Sequence, residues 1–236
     1  ASDLLRVVDH TKIKPLKSLK KYIAPVSLWA VGGDGWAYDI GYNGIDHVLA
    51  SNENINILVL DTEVYSNTGG QSSKSSHIGS IAKFTSAGKK TRKKDLARLA
   101  LSYPHVYVGA VSLGANPAAT IKVFLEAEAY QGPSIIIAYA PCIAQGILKG
   151  MNHSIEEEKK ATLSGYFPIF HYNPETKQFK LDAKSNFDTY QDFLKGEDRY
   201  SSLPKVNEKE ADELFIQNEN NAKERYRYYE SLDKNE

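Results

Sequence analysis

Sulfur is scarce in this chain: of 236 residues, one is cysteine (Cys142) and one is methionine (Met151). A single thiol excludes a disulfide framework and suits a reducing compartment, so the expected location is cytoplasmic, or an organelle of anaerobic metabolism. An excess of either charge is also absent, because 29 Lys+Arg balance 29 Asp+Glu for a formal net charge of +0. That balance gives no bulk-charge basis for binding nucleic acid or a membrane surface. No apolar run approaches the length of a membrane span, and the N-terminus lacks the apolar core of a signal peptide. The six histidines show no metal-ligand spacing. A Walker lysine pattern is missing, and "GGDGW" does not complete GxGxxG. There is no internal repeat and no low-complexity tract. The chain opens on Ala1 rather than Met, which reads as a piece of something longer.

What is present is ordinary for a globular protein, 42% apolar and 25% charged, and long enough to bury a real core. Residues 1–24 are polar and lysine-rich and read as a lead-in; residues 25–236 read as the domain. "VSLWAV" (26–31), "INILVLD" (55–61), "HVYVGAV" (105–111) and "SIIIAYA" (134–140) are continuous, largely β-branched runs. Such runs predict strands buried on both faces. Between them lie helical patterns. Tyr38 to Ser51 sets Ile40, Gly44, His47 and Val48 along one face, which makes His47 a core-facing structural group. Lys93 to Leu101 groups Leu96, Leu99 and Ala100. A third pattern, over 116–130, starts with Asn116 as N-cap and Pro117 at the first helical position, and spaces Ile121, Leu125 and Glu128 at the helical period. Strand–helix–strand repetition predicts an α/β fold: an open, mainly parallel sheet with helices on both faces. Downstream, the pattern predicts a helix over 155–163, a strand over 166–172, and a turn into a short strand over 173–182. A long charged helix over 208–232 follows, with Leu214, Phe215, Tyr226 and Tyr229 available for docking.

Ligands of such sheets bind beyond the carboxyl ends of the strands. The four ends read "GGDGW", "TEVYSNTGG", "SLGANP" and "PCIAQG". Glycines 32, 33 and 35 would let the backbone approach a bulky anion. A helix terminus adds only about 0.3–1 kcal/mol per charge, so a diphosphate there calls for a divalent cation, with Asp34 as its ligand. Asp34 and Thr62 are one strand–helix–strand unit apart. If their strands are neighbours, about 4.7–4.9 Å apart, both loops reach one ion.

"GGDGWAYDIGYNGIDHVLAS" followed by "NILVLDTEVYSNTGGQSSK" closely resembles the thiamine-diphosphate-binding domain of single-chain pyruvate:ferredoxin (flavodoxin) oxidoreductases. It equally resembles the same module of pyruvate:NADP⁺ oxidoreductase, where it is fused to a flavin reductase. The likeness continues through "AKFTSAGKKTRKKDLA" and "SLGANPAATIKVFLEAEAYQGPSIIIAYAPCIAQGI" to the terminal "AKERYRYYESL". It implies that Asp34, Thr62 and the backbone oxygen of Val64 ligate Mg²⁺. Gly33, Asp34, Gly35 and Trp36, with Thr62, Glu63, Val64, Tyr65, Ser66 and Asn67, would line thiamine diphosphate, and Asn67 would face the reacting carbon as the catalytic side chain. The implied reaction is oxidative decarboxylation of pyruvate, with the acetyl group passed to coenzyme A and electrons to iron–sulfur clusters. The implied partners are ferredoxin, flavodoxin or a fused flavin reductase, the other domains of the same polypeptide, and a second copy in a full-length homodimer.

By composition Cys142 is a small buried hydrophobe. The resemblance instead implies one of four thiolates on a [4Fe–4S] cluster, the other three lying outside this chain. A glutamate near the aminopyrimidine would also come from elsewhere, so the piece is expected to be inactive alone. "GKKTRKKD" (88–95), five basic residues in eight, reads as a solvated loop entering a helix, with coenzyme A phosphates or another domain's acids as the sharper alternative. His77 is a candidate for proton handling. Two other readings of the glycine loop stay open: a noncatalytic phosphate- or nucleotide-binding module, and a structural domain that docks a partner through its long helix.

Overall fold

The four apolar runs become four parallel strands: β1 (Trp29–Gly33), β2 (Asn56–Asp61), β3 (Tyr107–Val111) and β4 (Ser134–Tyr139). In this computed structural model, which describes residues 6–8, 10, 15, 18 and 26–234, the sheet has six strands in the order β1-β2-β4-β3-β5-β6. Apart from those few positions, the lead-in expected over 1–24 lies outside the described residues. Strands β5 (Phe170–Asn173) and β6 (Gln178–Leu181) extend the sheet in antiparallel fashion beyond β3. The strand expected over 166–172 is thus shorter than the pattern, because Tyr166 and Phe167 bury their rings in the core instead of pairing. The first strand also shifts. Its pairing with β2 runs from Trp29↔Asn56 to Gly33↔Leu60, which draws both glycines into the sheet.

The apolar strands bury both faces. Ile57, Val59, Val108, Ala110, Ile135 and Ile137 form one core with the helices of that side, while Tyr107, Val111 and Ile136 form a second with Val123 and Ala127. Helix α1 (Tyr42–Ala50) buries Ile45 and Leu49; Gly44 and His47 face outward and Ile40 is 81% exposed, so His47 is not the core-facing group the pattern suggested. The cause is the six-residue stretch Gly35–Ile40, which winds as a π-helix and shifts the phase of everything after it. Helix α2 (Leu96–Ala100) is shorter than its pattern. It is capped by Asp95, which accepts from the Arg98 amide, and Leu99 points outward. Helix α3 (Pro117–Ala129) is capped by Asn116 as expected, yet it buries Thr120, Val123 and Ala127 rather than Ile121, Leu125 and Glu128. A Cβ on Gly109 would come within 2.6 Å of Val123, so the missing side chain on β3 lets that face of α3 seat closely.

Helix α4 (Ser154–Leu163) follows its pattern, whereas α5 (Tyr190–Gly196), α6 (Asp198–Ser201) and α7 (Leu203–Val206) had no periodic signal. Segments of this length are too short for one; their burial of Tyr190, Phe193, Leu194, Tyr200 and Leu203 supplies the order. Helix α8 (Glu208–Asp233) packs Leu214, Phe215 and Tyr229 inward, and Tyr229 lies 4.2 Å from the Phe170 ring centroid. Among the described residues no helix is long and apolar enough to cross a membrane.

Candidate functional site

Because β1 and β2 are adjacent and parallel, the loops leaving them meet at one corner. Thr62 Oγ1 donates to Asp34 Oδ1 at 2.8 Å and has the Val64 carbonyl at 3.1 Å. Carboxylate, hydroxyl and carbonyl therefore converge, as the three expected metal ligands must. Ser73 Oγ donates to the other Asp34 oxygen at 2.5 Å, a contact the sequence did not suggest. Asp34 is buried. Its own burial, then the neighbouring Asp61 carboxylate, push it up to about 6, against the hydrogen bonds from Ser73 and Thr62 and the Lys93 charge. A divalent cation would relieve both causes. Magnesium accepts such a donor set, because it draws only one or two carboxylates from protein and completes its octahedron with phosphate oxygens and water. No group of three or more His, Cys, Asp or Glu among the described residues could hold a metal alone. The donor chemistry fits Mg²⁺ carried in with an anion.

An open cleft of about 430 Å³ runs past these oxygens. Gly33, Asp34, Gly35, Trp36, Thr62, Val64, Tyr65, Ser66 and Asn67 line it, joined by Ile40, Leu60 and Thr68. Asn67 stands exposed on it. The three glycines divide their work differently from the expectation. A Cβ on Gly32 would strike the Trp36 ring at 2.4 Å and one on Gly35 the Tyr65 ring at 2.2 Å, so these two make room for aromatic side chains. A Cβ on Gly33 would meet nothing within 4 Å, so this glycine alone leaves free space for a ligand.

Glu63 was expected to line the cofactor, and its side chain does not. It turns inward, 0% exposed, into a network under the site. Oε1 accepts from Lys93 Nζ at 2.7 Å and His77 Nε2 at 3.0 Å; Oε2 accepts from Tyr166 Oη at 2.6 Å and Arg199 Nη1 at 2.7 Å. Burial opposes its ionisation, but Lys93, His77 and Arg199 outweigh it and hold the carboxyl well below the usual range. His77 lies in the same network, stacked on Tyr166 at 4.4 Å. Burial lowers its pKa to about 3, against the pull of Glu63, so it stays neutral and donates. This does not suit the proton-handling role expected of it.

The basic run is solvated only in its middle, where Lys90, Thr91 and Arg92 are exposed before the helix start at Asp95. Lys89 is buried and donates to the Ser73 and Ser76 carbonyls at 2.8 and 2.6 Å, tying down the serine loop. Lys93 bridges Asp61 and Glu63, and Lys94 donates to the Tyr38 carbonyl at 3.0 Å. Lys90 and Arg92 reach Glu210 and Glu224 on α8. The acids that compensate the run thus come from this same chain.

Of the other two strand ends, "SLGANP" is closed by Glu158 of α4, which accepts from the Gly114 amide at 2.6 Å. The end of β4 stays close to the corner: Cys142 is half-buried, with its Sγ 3.0 Å from Ser66 Oγ.

The model of the C-terminal TPP-binding domain of thiamine pyrophosphate enzymes matches residues 20–138. Over 235 residues, 98% of this chain, the sequence is 52% identical to pyruvate:ferredoxin oxidoreductase of Moorella thermoacetica, of which it covers 19%. It is 50% identical to pyruvate-flavodoxin oxidoreductase of Klebsiella pneumoniae over 90% of the chain and 19% of that protein. It is 45% identical to the mitochondrial pyruvate dehydrogenase [NADP(+)] of Euglena gracilis over 93% of the chain and 12% of that protein. The chain therefore spans less than a fifth of the length of these curated relatives.

Proposed function

The chain belongs to the thiamine pyrophosphate enzyme family, as its C-terminal TPP-binding domain, and from that premise we propose that it serves a pyruvate oxidoreductase. In this reading it is one domain of a much longer polypeptide that converts pyruvate and coenzyme A to acetyl-CoA and CO2. The convergence of Asp34 Oδ1, Thr62 Oγ1 and the Val64 carbonyl carries the reading.

Asp34, Thr62 and Val64 would hold Mg²⁺, and Gly33 would leave the approach open for a diphosphate. Trp36, Tyr65 and Ser66 would wall the thiazolium end, and Asn67, exposed on the cleft, would present its amide to the 2-oxoacid. Bound thiamine diphosphate supplies the electron sink for decarboxylation; the protein binds, orients and shields it. Cys142 would give one thiolate to a [4Fe–4S] cluster completed by cysteines outside this chain. Electrons would leave through that cluster to ferredoxin, flavodoxin or a fused flavin reductase.

Calorimetric titration of the chain with thiamine diphosphate, with and without Mg²⁺, tests the reading. Binding that needs the metal and is lost in Asp34→Ala supports it. Equal affinity in Asp34→Ala, or preference for adenine nucleotides, overturns it in favour of a general phosphate-binding module.

A further inference from the structure

We infer that Glu63 is a positioning residue for the metal corner: its buried carboxylate fixes the left-handed turn that aims the Thr62 hydroxyl and the Val64 carbonyl at the point Asp34 already faces. The inference rests on the reading of that corner as a metal site. Glu63 stands between the two expected ligands with φ +60. That conformation suits glycine and is unfavourable for a residue with a Cβ. A glycine would make the turn without strain, so a glutamate there implies work for its side chain.

The work is visible in its four donors. Lys93, His77, Tyr166 and Arg199 come from four separate segments of the chain, and each reaches the Glu63 carboxylate within 3.0 Å. The main chain is fastened too, since Ser76 Oγ donates to the Glu63 carbonyl at 2.6 Å. With both side chain and carbonyl pinned, the peptide units on either side have one orientation. Thr62 and Val64 are thereby presented to the cleft before any ligand arrives. Residues of this kind behind metal ligands are worth about 10–100-fold in metal affinity.

The test uses Mn²⁺ as a spectroscopic stand-in, with bound metal read by electron paramagnetic resonance in the presence of thiamine diphosphate. In Glu63→Gln, and equally in Glu63→Gly, Mn²⁺ affinity is expected to fall by at least about tenfold, with a smaller loss in Tyr166→Phe. Val123→Ala, in the core on the other face of the sheet, is the control for stability: it lowers the melting temperature and leaves Mn²⁺ affinity unchanged. Wild-type affinity in Glu63→Gly overturns the inference, because the turn alone would then suffice. Losses in Glu63→Gln no larger than in Val123→Ala also overturn it. Should neither Glu63 variant fold, Tyr166→Phe decides, and an unchanged affinity there refutes the anchoring role. A wild type that binds no Mn²⁺ with thiamine diphosphate fails the metal-site reading itself, an outcome distinct from a wild type that binds while Glu63→Gly binds equally well.

Discussion

Thr62 donates its hydroxyl to Asp34 at 2.8 Å although 28 positions separate the two. The contact exists because β1 and β2 are parallel neighbours in register, with Gly33 opposite Leu60, so that the residues just past each strand share one corner. Ser73 completes the shell around Asp34 from the serine loop, which Lys89 holds by two carbonyls.

Removing that hydroxyl separates its oxygen from the shape of the side chain. Thr62→Val is expected to weaken Mg²⁺-dependent thiamine diphosphate binding by at least about tenfold, and Thr62→Ser, which keeps the oxygen, by about threefold at most. Calorimetric titration of both variants reads the difference. Equal losses would mean that the methyl group, not the oxygen, matters.

The glycines predict opposite outcomes from the same added methyl. In Gly33→Ala the Cβ enters open space, so the melting temperature should stay within about 2 °C while cofactor affinity drops. In Gly35→Ala the Cβ overlaps the Tyr65 ring, an overpacking that costs about 1–3 kcal/mol. Thermal melts paired with titrations check both, and unimpaired cofactor binding by Gly33→Ala would remove the ligand from that space.

Acid should act on His77. Its pKa is about 3 in the folded chain, against 6.5 for a free side chain, so between those limits the unfolded chain takes up a proton that the native one refuses. Stability from this residue is full above pH 6.5 and falls as pH drops, by about 2 kcal/mol at pH 5. Glu197 works the other way, because burial raises it to about 7, so protonation on acidification favours the folded state. The informative quantity is therefore the difference between wild type and His77→Gln in urea melts at pH 7 and pH 5. Parallel pH dependences would show that His77 charges freely in the fold.

Asn116 caps α3 by accepting from the Ala119 amide at 3.0 Å. Asn116→Ala should cost about 1 kcal/mol and lower the melting temperature by about 2–4 °C. Because α3 packs away from the cleft, cofactor affinity should not change; a change would tie this helix to the site.

Much of the fold was legible because its signals are local. The four β-branched runs, the Asn116-Pro117 start and the charged pattern of α8 each describe one element and need nothing from the rest of the chain. The corner was legible as well: Asp34 and Thr62 follow consecutive strands, and a parallel pair brings such positions together. Where the pattern failed, a feature outside the element had decided. The π-helical stretch after Asp34 rotated α1 away from its expected face, and Gly109 drew Val123 inward in place of Ile121.

Local sequence pattern specified the strands, their connecting helices and the two polar strand ends that carry Asp34 and Thr62, since hydrophobic period and turn chemistry act over a few residues. Packing across the whole fold set where the side chains between those landmarks point. It turned Glu63 away from the cleft, matched Lys90 and Arg92 to Glu210 and Glu224, and of glycines 32, 33 and 35 left Gly33 facing open space. Those choices are set by contacts between segments tens of residues apart, where a buried charge must find its partner and a ring must find its gap.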